Sequence, residues 1–233
     1  VRSIILGYKM KTHSKALLVS IGLLGVSGIS MATDHDGILS DTYIGTSVGV
    51  SWSDYEMDFV NPRVTTRSVE DNEDSTFSGT FKIGKKFNNV RAELEYGYMD
   101  EAQYRSRWNP FDTVDQDVEV TSHRLMVNAA YDIEISNGVK VFPLAGVGWA
   151  INRADAQQDH VSDFDNKWNS DFAWSLGAGV SYDITQSIAA DFSYQYLDLG
   201  EAKTGMSQFA PLDERFEGDL ETHELKAGIR YSF

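Results

Sequence analysis

The stretch Thr222-His223-Glu224-Leu225-Lys226-Ala227-Gly228-Ile229-Arg230-Tyr231-Ser232-Phe233 alternates without a break. His223, Leu225, Ala227, Ile229, Tyr231 and Phe233 occupy every second position, and Thr222, Glu224, Lys226, Gly228, Arg230 and Ser232 fill the others. Successive side chains of a β-strand point to opposite faces, so this is a strand with one apolar and one ionic face. Segment Ser75–Phe87 does the same, with Phe77, Gly79, Phe81, Ile83 and Phe87 opposing Ser78, Thr80, Lys82, Gly84 and Lys86. In Asp171–Ile184, Phe172, Trp174, Leu176, Ala178, Val180 and Tyr182 oppose small or polar residues. Thr42–Ser53, Val90–Met99, Val118–Ile133, Val139–Asn152 and Ser187–Leu199 are similar, and Asp219–Phe233 completes a set of eight.

The connections also alternate. Asn88-Asn89, Glu134–Gly138 and Thr185-Gln186 are short, whereas Asp54–Asp74, Asp100–Asp117, Arg153–Ser170 and Gly200–Gly218 are long. Short-long alternation means antiparallel hairpins, tight turns at one end and large loops at the other. The reading is all-β: an eight-stranded antiparallel up-and-down transmembrane barrel, with short periplasmic turns and long external loops.

Alternation alone does not say which face points outward, because a soluble ligand-binding barrel alternates with its apolar face inside. Aromatic placement favours lipid. Trp52, Phe77, Trp149, Phe172 and Trp174 sit near the long-loop ends, with Tyr96, Tyr98, Tyr194 and Tyr196. Phe87, Tyr131, Tyr182, Tyr231 and Phe233 sit near the short-turn ends. Phe77 and Phe87 are ten residues apart, as are Phe172 and Tyr182. At a rise of about 3.3 Å per residue and about 40° of tilt, that is about 25 Å, the height of an apolar belt between two aromatic girdles.

The N-terminus reads as an address. Residues 1–32 carry Arg2, Lys9, Lys11 and Lys15, no acid, and an apolar run Ala16–Ala32 ending Ser30-Met31-Ala32. That is the pattern of a signal peptide cleaved after Ala32, leaving residues 33–233 as the barrel domain. Met10-Lys11 opens a signal of ordinary length, so residues 1–9 read as an over-extended start.

Composition narrows function. The 233 residues carry a net charge of −15 and no cysteine. A disulfide framework, a thiolate metal site and a Cys nucleophile are therefore excluded. The acidic balance argues against nucleic acid as a partner. A mean hydropathy of −0.32 argues against a helical membrane bundle but not against a barrel, where only every second strand residue faces lipid.

The whole of residues 33–233 resembles the small eight-stranded outer-membrane β-barrels: the OmpA transmembrane domain, OmpX and the opacity-type porins. The most specific match is Leu225 to Phe233, similar to the C-terminal signal read by the barrel-assembly machinery, with Leu225, Ile229, Tyr231 and Phe233 as its elements. Phe142-Pro143-Leu144-Ala145-Gly146-Val147-Gly148-Trp149 is similar to a fifth-strand pattern of the opacity type. Pro143 removes a ladder hydrogen bond and predicts a bulge or local break. The resemblance implies a bacterial outer-membrane location. It also implies outer-membrane lipid and lipopolysaccharide as surroundings, no cofactor, and a structural or adhesive role.

The polar face supplies the first candidate site. Lys82, Arg91, Glu93, Glu95 and Arg124 lie on it, together with Asp191, Glu224, Lys226 and Arg230. Eight strands enclose a space that side chains can fill, so these charges read as a paired lumen network. The alternative is a narrow ion pathway gated by an Arg–Glu switch, which would make the chain a small porin. A lipid-modifying barrel enzyme needs His beside Ser, yet His123 and His223 are each followed at i+2 by Leu. The sequence therefore reads as non-enzymatic. A soluble periplasmic barrel for lipophilic ligands is a further alternative. Asp159, Asp163, Asp165 and Asn166, and Asp71 to Asp74, could supply oxygen ligands to Ca²⁺ but lack the glycine and terminal glutamate of an EF-hand. No metal site is assigned.

The second candidate is the loop set. The four long connections carry net charges of −5, −3, −2 and −2. Aromatics are interleaved: Tyr55, Phe59, Tyr104, Trp108, Phe111, Phe164, Trp168, Phe209 and Phe216. Loops this long usually have a task. An extracellular protein or surface receptor with a basic face is the partner class they would serve. Packing of the aromatics against each other, extending the barrel above the membrane, is the competing expectation.

Overall fold

The computed structural model describes residues 40–61, 64–68, 73–107, 115–158, 162–163, 167–203 and 215–233, within one compact unit, Ile38–Phe233. The expected signal peptide lies outside the described residues. Eight long strands are present: β1 (Thr42–Asn61), β2 (Glu73–Phe87), β3 (Val90–Arg107), β4 (Asp115–Tyr131), β5 (Val139–Gln158), β6 (Lys167–Asp183), β7 (Ile188–Lys203) and β8 (Arg215–Ser232). Each pairs antiparallel with its sequence neighbours, and β1 pairs with β8 from Tyr43↔Ser232 to Val60↔Arg215, so the sheet closes. Closure removes both sheet edges and pairs every strand on two sides, which a lipid environment demands of backbone polar groups.

Three short strands decorate this frame. Val64–Ser68 pairs with β1, and Ile133–Ser136 and Ser162–Asp163 pair with β5. The lower connection expected over Glu134–Gly138 is therefore mostly strand, and its turn is Asn137-Gly138, with Gly138 at φ 77°. The upper connections also contain more strand than expected. β1 runs to Asn61 and β3 to Arg107. An 18-residue strand such as β8 spans about 45 Å of height at that rise and tilt, well beyond a belt of about 25 Å. The barrel wall thus continues above the belt, while the packing of the loop aromatics that was the competing expectation falls, Trp168 apart, outside the described side chains.

Pro143 does not shift register: it pairs with Ala178 of β6 inside an unbroken ladder. The break falls on the other side. Pairing of β4 with β5 ends at Ala130↔Leu144, and the short strand Ile133–Ser136 resumes at Ile133↔Val141. Asp132, between them, donates its N–H to Asn89 O at 2.7 Å. A residue without an N–H sits where the facing strand leaves the ladder, so no bond is lost.

Face assignment follows from burial. Phe81, Leu94, Val127, Val147, Leu176, Phe192 and Ile229 are exposed, while Arg91, Arg124, Glu224 and Arg230 are buried. The girdle residues Trp52, Phe77, Phe87, Tyr131, Trp149, Phe172 and Tyr182 point outward, with Trp174 half-buried. Val127, midway along the lipid face of β4, is 57% exposed. Val127→Arg is expected to destabilise the barrel by about 2–4 kcal/mol in lipid vesicles, measured by urea titration of folding. A cost below about 1 kcal/mol would remove this face from the hydrocarbon.

Candidate functional site: a filled lumen and an acidic outer rim

All nine predicted lumen charges face inward, and the structure sorts them into two clusters. The upper one joins four residues. Arg124 Nη2 lies 2.6 Å from Glu224 Oε2, Lys226 Nζ lies 3.5 Å from the same oxygen, and Lys226 Nζ also reaches Glu95 Oε1 at 3.4 Å. Ser51 donates to Glu224 Oε1 at 3.0 Å. The lower cluster runs from Arg91 to Glu93 (2.8 Å), Glu93 to Lys82 (3.4 Å), Lys82 to Asp191 (3.6 Å) and Asp191 to Arg230 (3.4 Å). Arg91 also meets Asp132 at 2.9 Å. Two cations face two anions above, and three face three below. Such neutrality is what burial demands, because an unpaired ion in this setting costs several kcal/mol.

Between the clusters a cavity of about 20 Å³ is lined by Lys82, Glu93, Glu95, Asp191, Lys226 and Asn128 among others, room for about one water molecule. Aromatic rings complete the lower filling. Arg91 lies over the Phe142 ring at 4.4 Å and Arg230 over the Tyr43 ring at 5.2 Å, and Tyr43 OH donates to Glu93 at 2.6 Å.

Above the ionic clusters the lumen turns apolar. Met99, Leu197, Leu199 and Leu220 are at most 1% exposed, and Ala102, Val120, Ala150 and Ala173 are fully buried. Met99, Val120, Leu197, Leu199 and Leu220 share the inward parity of the lumen charges on their strands, and Ala102 comes inward after the slip that follows Met99. The layer is held by an irregularity in β7. Its pairing with β8 slips between Asp198 and Glu201. Gly200 there adopts φ 68°, a left-handed conformation that glycine reaches at little cost. Its N–H bonds Asp198 Oδ1 at 3.0 Å, and the Glu201 N–H bonds Asp171 Oδ2 at 3.2 Å. Asn152, from β5, donates to Leu199 O at 2.9 Å across the intervening β6, and Asn169 donates to Glu201 O at 2.8 Å. These bonds fix the irregular turn of β7 at Leu199 and Gly200, so that Leu197 and Leu199 are held inward as part of an apolar plug.

Outside, just above the belt, carboxylates stand in rows. Asp198 is the cross-strand partner of Glu221, and Glu201 of Asp219. On the other flank of β8, Glu221 pairs with Asp54 and Asp219 with Glu56. Like charges directly opposite one another are destabilising. Partial burial and the nearby Glu201, Asp198, Glu221 and Asp171 accordingly hold the Asp219 carboxyl above the usual carboxylate range. A carboxyl raised in the folded state opposes folding while ionised, and the penalty fades as pH falls through its raised value. Asp219→Asn is therefore expected to raise the urea midpoint at pH 7 by a few tenths of a kcal/mol equivalent, with the advantage gone near pH 4. An equal gain at both pH values would show that repulsion is not its source.

Two histidines face outward below this rim. Tyr96 OH lies 2.8 Å from His123 Nδ1, and Tyr194 OH lies 2.7 Å from His223 Nδ1. Their hydrogen-bond partners are tyrosines, not serines. Among the described residues no three acidic or histidine side chains converge on a metal position. The Ca²⁺ candidates Asp71, Asn72, Asp159, Asp165 and Asn166 lie outside the described residues. Of the loop aromatics, Trp168 is exposed and packs beside His123 at 6.2 Å, and the others fall outside the described side chains.

A closed eight-stranded sheet with apolar exterior, paired ionic interior and extended upper wall is the arrangement of one envelope family, and its sequence profile, the outer membrane protein beta-barrel domain, matches residues 21–233. The chain belongs to that family. As a member of the outer membrane protein beta-barrel family it resides in the bacterial outer membrane. It is 26% identical to the outer membrane protein PagN of Salmonella typhimurium, over 90% of this chain and 95% of PagN. It is 24% identical to the "Putative adhesin RC1281" of Rickettsia conorii, over 70% of this chain and 71% of that protein. Its fold matches the outer membrane protein OprG of Pseudomonas aeruginosa with a TM-score of 0.57 at 13% identity, covering 84% of this chain and 99% of OprG.

The family reading of the lumen needs additions that alternation did not supply. Asp132 lies in the gap after β4, at the end of the Val118–Ile133 segment, and completes the lower cluster through Arg91. Tyr43, Phe142 and Met126 are apolar residues on the polar face. Asn152 and Asp171 hold the plug by contacts that no spacing rule foretells. The tandem Leu197-Asp198-Leu199-Gly200 was the available signal, since its leucines fall on the lumen parity of β7.

Proposed function

We propose that this barrel is a surface adhesion protein whose outer wall, not its lumen, is the working part. The observation that carries the reading is the pair of carboxylate couples on β7 and β8, in register above the apolar belt: Asp198 opposite Glu221, and Glu201 opposite Asp219, with Asp54 and Glu56 at the matching register positions of β1. Keeping like charges side by side costs stability, and a basic partner would turn that cost into affinity and a fast, salt-sensitive encounter. Relatedness to a Rickettsia protein described as an adhesin supports the same direction. The partner class is an extracellular protein or receptor with a cationic patch. Assembly would use the barrel-assembly machinery, through Leu225, Ile229, Tyr231 and Phe233, of which Leu225, Ile229 and Phe233 are exposed on the lipid side.

The test is attachment of a non-adherent bacterial strain displaying the protein to epithelial monolayers. Wild type is expected to raise attachment several-fold over the empty strain. Changing Asp198, Glu201, Asp219 and Glu221 to their amides is expected to abolish most of that gain, as is high salt. Equal attachment by the amide variant, present at the surface in equal amount, would overturn the reading.

A further inference from the structure

The two histidine clusters are copies of one another on opposite walls. In β3 the sequence is Glu93-Leu94-Glu95-Tyr96-Gly97-Tyr98-Met99-Asp100, and in β7 it is Asp191-Phe192-Ser193-Tyr194-Gln195-Tyr196-Leu197-Asp198. The next strand supplies Ser122-His123-Arg124-Leu125 in one case and Thr222-His223-Glu224-Leu225 in the other. Register repeats too: Tyr98 is the direct cross-strand partner of His123, and Tyr196 of His223. So does geometry. The His123 ring lies 5.1 Å from Tyr98 and 6.2 Å from Tyr96, and the His223 ring lies 5.3 Å from Tyr196 and 5.9 Å from Tyr194. In each copy Nδ1 engages the lower tyrosine hydroxyl. A carboxylate stands beside the upper one: Asp100 accepts from Tyr98 OH at 2.9 Å, and Glu221 hydrogen-bonds Tyr196.

Four strands separate the copies in a closed ring of eight, so they sit on opposite sides. Both face out of the wall where the apolar belt ends. His223 is ten residues from Phe233 on β8, about 25 Å of height. What adjoins them there is the headgroup layer of the outer leaflet. Anchoring in that layer needs only aromatic bulk, as Phe77 and Phe172 provide elsewhere on the girdle. These clusters add hydroxyls, an imidazole and a carboxylate around exposed ring faces. Apolar ring faces flanked by such donors and acceptors suit a sugar, which presents C–H faces and hydroxyl edges. A phospholipid headgroup offers no such face.

We propose that each cluster is a docking site for the saccharide headgroup of lipopolysaccharide, giving the barrel two equivalent glycolipid sites on opposite walls. Tyr96, Tyr98 and His123 form one; Tyr194, Tyr196 and His223 form the other. The proposal goes beyond the adhesive reading and stands without it, since it concerns the membrane's own lipid at the wall and not a partner at the rim.

Native mass spectrometry of the detergent-purified barrel tests it, using rough lipopolysaccharide and, in a parallel arm, phosphatidylglycerol. Wild type is expected to retain up to two lipopolysaccharides, at least tenfold more tightly than phosphatidylglycerol. Tyr96→Phe with His123→Phe keeps the aromatic bulk and is expected to reduce the count to one, as is Tyr194→Phe with His223→Phe. Combining all four is expected to leave none. A heat-dependent gel shift on every variant establishes that the barrel is folded. A combined variant that is folded and still retains two would overturn the proposal, and so would equal retention of phosphatidylglycerol by wild type. Unchanged attachment by the amide variant at Asp198, Glu201, Asp219 and Glu221, with this count intact in wild type, would sink the adhesive reading alone.

Discussion

Glu224→Gln is expected to cost the folded barrel about 3–5 kcal/mol, the usual effect of removing one member of a buried ion pair. Glu224 is fully buried and serves two cations, Arg124 at 2.6 Å and Lys226 at 3.5 Å. Its neutralisation leaves those two cations facing Glu95 alone in a buried layer. The variant that removes both partners behaves differently. Arg124→Met with Glu224→Leu leaves Lys226 and Glu95 as a neutral pair at 3.4 Å and fills the space with apolar atoms. It is expected to recover most of the loss and could equal wild type, since replacing a buried pair by hydrophobes is often neutral or stabilising by about 1–4 kcal/mol. Urea titration in vesicles, followed by tryptophan fluorescence and gel mobility, gives both values. A Glu224→Gln barrel within about 1 kcal/mol of wild type would mean that the pair is solvated, with the small net worth of a surface ion pair.

That pair also shows what a sequence reveals of such a molecule. Alternation is local, so it placed Arg124 and Glu224 on the lumen face without coordinates. It did not place them together, because they stand 100 positions apart on strands across the ring from each other. Partners across a lumen depend on strand tilt and stagger, which are properties of the closed sheet. The C-terminal strand was readable from end to end because one face meets lipid and the other meets charge. Past the plug the alternation fades, and Arg215, Phe216, Glu217 and Gly218 carry no periodic signal. Strand ends were therefore set too low. Irregularities hide for a related reason. The slips after Met99 in β3 and after Asp198 in β7 reset which residues face inward, and one extra residue is invisible in a short alternating run. The acidic rows need register as well: Asp219 is unremarkable until Glu201 is found opposite it.

The other large expected effect is on conductance, and it follows from two seals lying in series. Planar-bilayer recordings of wild type are expected to show no resolved steps, because the plug of Met99, Leu197, Leu199 and Leu220 lies above the Arg124–Glu224 layer, and the cavity below that is only about 20 Å³. Leu197→Ser with Leu199→Ser should wet the mouth but stay silent, since the ionic layer remains. Arg124→Ala with Glu224→Ala should open the ionic layer but stay silent, since the apolar layer remains and a dry constriction excludes ions. Only the four changes together are expected to give discrete, stable steps in barrels that still pass the gel-shift test for folding. Latch variants offer a second route to the same state. A Cβ on Gly200 would lie 2.6 Å from Asp171 Cβ, so Gly200→Ala should displace the irregular turn of β7 next to Leu199 and substitute for the two serine changes. If the Arg124→Ala with Glu224→Ala barrel conducts by itself, the apolar layer is no seal, and the small-porin alternative gains ground. If the fourfold variant is folded and silent, the lower cluster of Arg91, Glu93, Lys82 and Asp191 is a third seal. The lumen is then closed along its whole length by pairing, which leaves the outer wall as the part of this barrel that meets the world.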